Sequence, residues 1–144
     1  MERIKIEDWD CYQYAKKRGY EPLIDKRFII DIDTRIDIQQ HLFGKGHSPE
    51  ENERFYRYCW DIYPHVCSEC LKPLRQYSAV YISHIKTRGS HPQMAHDVRN
   101  VNILCFEHHS MWENGNRERM RIYPANQRII KELMEDYNIG RKWE

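Results

Sequence analysis

Two pairs of metal-ligating residues stand out in this sequence, and in each pair the ligands are separated by two residues. Cys67 and Cys70 form the first pair, and Cys105 and His108 form the second. Each pair can lie on one short turn and supply two corners of the tetrahedron that zinc prefers. The spacing predicts a structural Zn²⁺ site, which would add folding free energy to a small core. On paper, the adjacent His109 is an alternative to His108 as the fourth ligand.

Two histidines and an asparagine near these pairs have side chains suited to the hydrolysis of a phosphodiester. His84 and Asn100 lie between the two pairs, and His109 follows the second pair directly. An imidazole can accept a proton from water near neutral pH. A divalent cation can neutralise negative charge on the phosphate and on the leaving oxygen. One histidine and one metal ion together supply what this reaction needs.

The order His84, Asn100, His109 within a zinc-binding frame resembles the HNH endonuclease family. The resemblance covers residues 67–113, and Leu104 before Cys105 agrees with it. It implies an α+β fold with a ββα-metal (HNH) core, stapled by the structural zinc and extended by additional N-terminal and C-terminal helices. Small stand-alone proteins of this kind are common in phages and bacteria, so the resemblance also favours a phage or bacterial source.

The same resemblance implies a role for each residue of the motif. His84 matches the general base, and His109 matches a ligand of the catalytic metal. Asn100 matches the asparagine that orders the loop and, in some members, contacts that metal. The implied activity is a metal-dependent endonuclease that nicks or cleaves DNA with Mg²⁺ or another divalent cation such as Mn²⁺ or Ni²⁺. Asn102 is an alternative to Asn100 as the motif asparagine.

One position departs from the family pattern. The residue before the base histidine is often an aspartate or a second histidine that binds the catalytic metal, and here it is Ser83. We therefore expect weak binding of the catalytic cation, which His91 or Asp97 could strengthen. An aspartate at position 83 is expected to tighten it, since a carboxylate is a better ligand for Mg²⁺ than a hydroxyl.

Charge is distributed unevenly along the chain, although the formal net charge is only +1. The first third is rich in acids, whereas basic residues are frequent from residue 67 to residue 128. This distribution favours a phosphate-bearing partner. We expect Lys86, Arg88 and Arg99 to contact the phosphate backbone.

DNA is the expected partner, with RNA left open. One base and one metal suit the cutting of one strand, so double-strand cleavage would need a homodimer or a phage or bacterial protein partner. Two other classes remain open: a non-catalytic zinc-stapled module or degenerate HNH domain that binds nucleic acid, and an assembly protein that zinc only folds. The first would bind DNA without cutting it, and the second would show no salt-dependent affinity for nucleic acid.

The sequence favours a reducing compartment. It contains five cysteines, an odd number, and its first residues lack the apolar core of a secretory signal. No apolar run is long enough to span a bilayer, so no membrane partner is expected. We expect the protein in the cytoplasm of a bacterium or a phage-infected host cell, where paired cysteines bind metal.

Three segments are expected: an N-terminal helical or extended region over 1–64, the zinc-bearing core over 65–115, and a C-terminal helical extension over 116–144 packed on it. Periodicity predicts helices over 7–18, 106–114 and 126–137, and a capping box at Ser48 starts another. Alternating apolar residues over 28–38 suit a strand or an irregular arm, and residues 77–83 are also β-prone. His41 to His47, which holds two glycines, is expected to be a loop.

Overall fold

The computed structural model describes residues 32–137 of the chain. The chain forms two compact units, 1–55 and 56–144, described here over 32–55 and 56–137. The boundary between the two units lies at residue 55, within a helix. The predicted segment boundaries at residues 64 and 115 stay a prediction. The helix predicted over 7–18 lies outside the described residues. No helix in the described range is both long enough and apolar enough to cross a membrane.

In the first unit, helix α1 (Ile32–Phe43) replaces the strand predicted over 28–38, as far as that segment is described. Its buried residues are Arg35, Ile38, Gln39 and Phe43. Their spacing of three to four residues is that of a helix face. The alternating isoleucines matched the period of a strand, but packing on this face decided the conformation. The loop predicted from His41 accordingly begins later, at Gly44.

Helix α2 (Pro49–Ile62) begins with the predicted capping box. Ser48 Oγ accepts the backbone N–H of Glu51 at 3.2 Å, and Glu51 Oε1 accepts the N–H of Ser48 at 2.9 Å. Gly44 has φ +109°, and a Cβ placed there would lie 2.0 Å from the Glu51 carboxylate. Glycine is therefore required where the chain leaves α1 and approaches the cap.

The second unit contains a small antiparallel sheet followed directly by a helix. Strand β1 (Ile82–His84) pairs with β2 (Val101–Ile103), with Ser83 opposite Asn102. The strand predicted over 77–83 is shortened, because Ala79–Tyr81 form a 3₁₀ turn before it. Helix α3 (Phe106–Asn114) has the predicted bounds. The described fold is thus of the α+β class, with strand, strand and helix in that order.

Two helices form hydrogen bonds to the sheet or to the residue that follows its first strand. Trp112 on α3 is buried and donates its indole N–H to the carbonyl of Ile85 at 3.2 Å. Helix α4 (Tyr123–Asp136) has Leu133 fully buried. On the predicted apolar face Leu133 is buried, and the other residues are partly buried: Ile129, Ile130, Met134 and Tyr137, the last of which follows the helix.

A carboxylate in the Cys67–Cys70 turn holds the start of α4. Glu69 accepts the backbone N–H of Arg121 at 2.7 Å and that of Ile122 at 3.0 Å. In return, the Arg121 guanidinium donates to the backbone carbonyls of Ser68 and Glu69. These contacts join segments more than fifty positions apart along the chain. The turn and α4 are therefore one connected structure.

Arg99 is buried in an ion-pair network, although we expected it on a nucleic-acid surface. Its guanidinium pairs with Asp97 at 2.8 Å and with Asp136 of α4 at 2.7 Å. Tyr137 also donates its hydroxyl to Asp97, at 2.9 Å. These ion pairs hold the Arg99 side chain inside the protein, so Arg99 does not form the phosphate contact that the sequence predicts. Asp97 is fully buried in the same network, so it does not serve as the supplementary metal ligand.

We predict that Asp97→Asn lowers the free energy of unfolding by about 3 kcal/mol, because it removes the fully buried member of this ion-pair network and weakens its charge-assisted hydrogen bonds to Arg99. Glu132→Gln is the matched control: Glu132 lies 3.5 Å from the same guanidinium but is one-third exposed. Its loss should cost less than about 1 kcal/mol. Urea denaturation of the two metal-loaded variants measures both values. Equal losses of unfolding free energy in the two variants would show that the buried Asp97 contact stabilises the protein no more than the partly exposed Glu132 contact.

Candidate metal centre and active site

The four predicted zinc ligands lie together in the second unit. Cys67 and Cys70 come from a tight turn, and Cys105 and His108 come from the first turn of α3. Their ligand atoms all lie within 4.8 Å of one another. They are therefore close enough to hold a metal ion, which is consistent with the predicted structural zinc.

Individual distances also agree with a tetrahedral site. His108 Nδ1 lies 3.3 Å from Cys105 Sγ and 3.7 Å from Cys67 Sγ, and the sulfurs of Cys70 and Cys105 are 4.0 Å apart. Zinc bound tetrahedrally would place its sulfur and nitrogen ligands about 3.6 Å apart, and two sulfurs about 3.8 Å apart. The cluster therefore has the dimensions that the ion needs.

Backbone geometry shapes the turn that carries the first two ligands. Leu71 has φ +65° and donates its N–H to the carbonyl of Cys67 at 2.8 Å. A second hydrogen bond, which the N–H of Cys67 donates to the carbonyl of Lys72 at 3.0 Å, closes the same turn. Ser68 donates its N–H to Ile103 of β2 at 2.8 Å. The ligand turn is thereby fixed against the sheet.

The thiols of the cluster have shifted pKa values. Burial raises the pKa of Cys67, but N–H groups of Cys105, Cys70 and Glu69 outweigh it and lower that pKa to about 7. Burial raises the pKa of Cys105. A thiolate is the form that binds metal, and the amides around Cys67 stabilise this form.

A second group of predicted residues meets in a cavity of about 650 Å³, which we call the His84 cavity. His84, at the end of β1, lines it together with His109 and Glu113 of α3. Arg88, from the loop after β1, and Tyr56 also line it. The cavity therefore brings together two predicted catalytic histidines, a carboxylate and a cation.

A backbone carbonyl orients the ring of His84. Its Nε2–H donates to the carbonyl of Ala95 at 2.8 Å. The tautomer follows from this contact, because a carbonyl can only accept. Proton acceptance in the neutral ring then falls to Nδ1. Burial lowers the pKa of His84 to about 4, so at neutral pH the imidazole is in its basic form, although it is a weaker base than an ordinary histidine.

His109 is held in a similar way and is not part of the four-ligand cluster. Its Nδ1–H donates to the carbonyl of Val80 at 2.6 Å, which leaves Nε2 directed toward Glu113 Oε2 at 3.2 Å. The alternative in which His109 replaces His108 in the zinc site is therefore not the one observed. An imidazole nitrogen and a carboxylate oxygen at this separation can both ligate a divalent cation.

Glu113 was missed by the sequence reasoning. It lies four residues after His109 on a predicted helix, so the two side chains share one face. That spacing was the signal that could have identified it. No third cysteine, histidine or carboxylate brings this pair to a three-ligand set within residues 32–137.

Asn100 is a structural clamp in the fold. Its Oδ1 accepts the N–H of Lys86 at 2.8 Å, and its Nδ2 donates to the carbonyls of Lys86 and Met94. The side chain is fully buried. Its polar atoms are committed to holding the loop between the strands, so the expected metal contact of Asn100 is corrected, whereas its loop-ordering role agrees with the geometry.

Ser83 and Asn102 face away from the His84 cavity. Side chains alternate along a strand, so Ser83 points to the opposite face of the sheet from His84. Its cross-strand neighbour Asn102 accepts a hydrogen bond from Asn126 of α4 at 2.7 Å, which identifies this as the face covered by α4. Ser83 Oγ is fully buried and makes no hydrogen bond among the described residues. Position 83 therefore does not lie beside His109.

We predict that Ser83→Asp destabilises the fold by about 3 kcal/mol and does not tighten cation binding, because the carboxylate would be buried without a charged partner. Ser83→Ala should stay within about 1 kcal/mol of the parent, since the hydroxyl it removes has no partner. Urea denaturation gives the stability. If a stable Ser83→Asp protein cleaves DNA at a lower Mn²⁺ concentration than the parent, position 83 lies at the metal site.

The two remaining basic residues of the expected surface are accessible to different degrees. Arg88 is exposed and lines the His84 cavity. Lys86, two residues earlier in the sequence, is partly buried. His91, which we considered as a further ligand, contacts Ser90 Oγ at 2.9 Å through Nδ1. Of these, Arg88 is the residue best placed to meet a phosphate in the cavity.

A scan against protein-family models found no match to this chain. A search of curated proteins and a search of solved structures found none either.

Proposed function

We propose that this protein is a metal-dependent endonuclease of the HNH type that hydrolyses DNA phosphodiester bonds. The single observation that carries the proposal is the His84 cavity, in which His84, His109 and Glu113 line one space. The order of strand, strand and helix around that cavity supports a ββα-metal core. The Cys₃His cluster beside it supports the zinc-stapled form of that core.

His84 acts as the general base in this proposal. The carbonyl of Ala95 fixes its ring and tautomer, so Nδ1 can take a proton from the attacking water. Its depressed pKa keeps the ring neutral, and thus ready to accept a proton, at neutral pH. Asn100 contributes indirectly, because it holds the loop that carries Ala95 and Arg88. Arg88 contributes a positive charge for the phosphate.

His109 and Glu113 are the residues that would hold the catalytic cation. When bound, a divalent cation supplies charge stabilisation to the phosphate and to the leaving oxygen. A mixed nitrogen and oxygen pair suits Mn²⁺ or Ni²⁺ as well as Mg²⁺. Since residues 32–137 offer two ligands here, we expect water and substrate to supply the other ligands and the free cation to bind weakly.

One base in one cavity suits the cutting of a single strand, so we propose a nicking activity for the monomer. Double-strand cleavage would then require a homodimer or a phage or bacterial protein partner. The proposal places the protein in the cytoplasm of a bacterium or a phage-infected cell. That setting rests on the resemblance to small HNH proteins alone.

Incubation of supercoiled plasmid with the zinc-loaded protein and Mg²⁺, Mn²⁺ or Ni²⁺ tests the proposal. We expect conversion to the open circular form with at least one of these ions, and loss of that conversion when the added ion is omitted. Glu113→Gln should raise the ion concentration needed, because it removes a ligand charge. A folded, zinc-loaded protein that cuts with none of the three ions would favour the non-catalytic binding module instead.

A further inference from the structure

Two exposed apolar side chains lie beside the proposed catalytic pair. Large apolar side chains are strongly exposed at only three positions within residues 32–137: Leu71, Val80 and Phe106. Phe106 has 70% of its surface exposed and Val80 has 46%. An isolated exposed apolar residue needs no explanation, but two of these three flank one site.

Local structure places both residues against His109. Phe106 precedes His109 by three positions on α3, so the two side chains are neighbours on one helix face. Val80 provides the carbonyl that accepts the His109 Nδ1–H. Val80 and Phe106 together line a second cavity of about 260 Å³, which we call the Phe106 cavity. Because it shares Val80, His109 and Glu113 with the His84 cavity, the two cavities meet at the proposed cation pair.

The chemistry of the Phe106 cavity differs from that of the His84 cavity. The His84 cavity has Arg88 and the two histidines, which suit a phosphate. The Phe106 cavity adds an exposed aromatic ring, together with the polar side chains of Ser110 and Asn114. At about 260 Å³ it is smaller than the roughly 300–1,000 Å³ typical of sites for whole small molecules. An aromatic face with polar groups at its rim suits one planar heterocycle.

A nucleotide contains both a phosphate and a planar heterocyclic base. The two groups are close together in the nucleotide, as the two cavities are in the protein. Because the two cavities share lining residues, a nucleotide whose phosphate lies in the His84 cavity can extend its base into the Phe106 cavity. In continuous duplex DNA that base is already stacked and paired, so its face is not accessible to a side chain. An unpaired base has a free face, and stacking on an aromatic side chain is then favourable for any base.

We propose that Phe106 and Val80 form a stacking platform for an unpaired base next to the scissile phosphate. Single-stranded DNA, or duplex DNA with an unpaired base, is then the preferred substrate over continuous duplex. This inference rests on the proposed nuclease function, because that function places a phosphate at His109 and Glu113.

Fluorescence anisotropy of the full-length, zinc-loaded protein tests this proposal, with a His84→Gln background and no added divalent cation to suppress cleavage of the probe. The probes are a short fluorescein-labelled single-stranded oligonucleotide of mixed sequence and the same oligonucleotide annealed to its complement. We expect tighter binding to the single strand. Phe106→Ala should weaken that binding by about tenfold, since one base loses its stacking partner. Phe106→Trp should retain it, which makes this variant the matched control for the loss of the aromatic ring.

Equal affinity for both probes, or a Phe106→Ala protein that binds the single strand as the parent does, would overturn the platform. Cleavage of the same probes by the protein with His84 intact reports on the nuclease separately. Binding that depends on Phe106 without any metal-dependent cleavage would retain the platform and reject the nuclease. Cleavage together with binding indifferent to Phe106 would retain the nuclease and reject the platform.

Discussion

Cys67→Ser is expected to abolish cooperative thermal unfolding of the second unit and to leave the protein without stoichiometric zinc. Cys67 is buried, and its sulfur lies 3.7 Å from His108 Nδ1 in the four-ligand cluster. Structural zinc contributes an apparent binding free energy of about 10–16 kcal/mol in small domains. The whole stability of a folded domain is about 5–15 kcal/mol. Loss of the site therefore removes as much free energy as the fold has.

Circular dichroism melting and metal analysis of the purified protein measure this prediction. Cys59→Ala is the matched control, because Cys59 is equally buried but is not part of the cluster. The control should lose about 1–2 kcal/mol of stability and keep its zinc. A Cys67→Ser protein that melts cooperatively at the parent temperature would show that the cluster does not hold a structural metal.

His84→Gln is expected to lower the rate of metal-dependent cleavage by roughly a hundredfold or more, the usual contribution of a general base. Glutamine can still donate an amide N–H to the carbonyl of Ala95, which accepts from His84 Nε2 in the structure. The loop contact is thereby retained while the proton acceptor is removed. His84→Ala should lose activity equally and should also lose stability, because it leaves that carbonyl without its donor.

Single-turnover nicking of supercoiled plasmid by both variants separates these effects. His47→Gln supplies the control for the same chemical change, since His47 is exposed and lies in the first unit. It should nick at the parent rate. If His84→Gln nicks as fast as the parent, the base is another group, and the His84 cavity would need a different interpretation.

The metal cluster was predictable from sequence because its spacing is local. A tight turn and the first turn of a helix each present ligands two residues apart, so no knowledge of tertiary structure was needed. The helix over 106–114 followed for the same reason. His84 and His109 also line one cavity, as the order of the motif residues suggested.

Residues whose roles depend on distant contacts were not predictable in this way. The acids that bury Arg99 include Asp136, which is 37 positions away, so charge counting alone assigned Arg99 to the surface. The sequence places position 83 at the catalytic metal because it precedes His84. Side chains alternate along a strand, however, so Ser83 and His84 point to opposite faces of the sheet. The segment from residue 32 forms a helix where the sequence suits a strand, because the spacing of its isoleucines fits both a strand period and a helix period.

If zinc occupies the cluster, the contact between Glu69 and the start of α4 makes the attachment of the C-terminal helix depend on that zinc. Glu69 lies inside the ligand turn, and it accepts the backbone N–H groups of Arg121 and Ile122. A chain that lacks zinc would lose the turn and, with it, the attachment of α4. Helix segments of this length are marginal alone in water, so they would become substrates for cellular proteases. Zinc limitation would then reduce the abundance of the protein by shortening its lifetime, before any effect on its activity was felt.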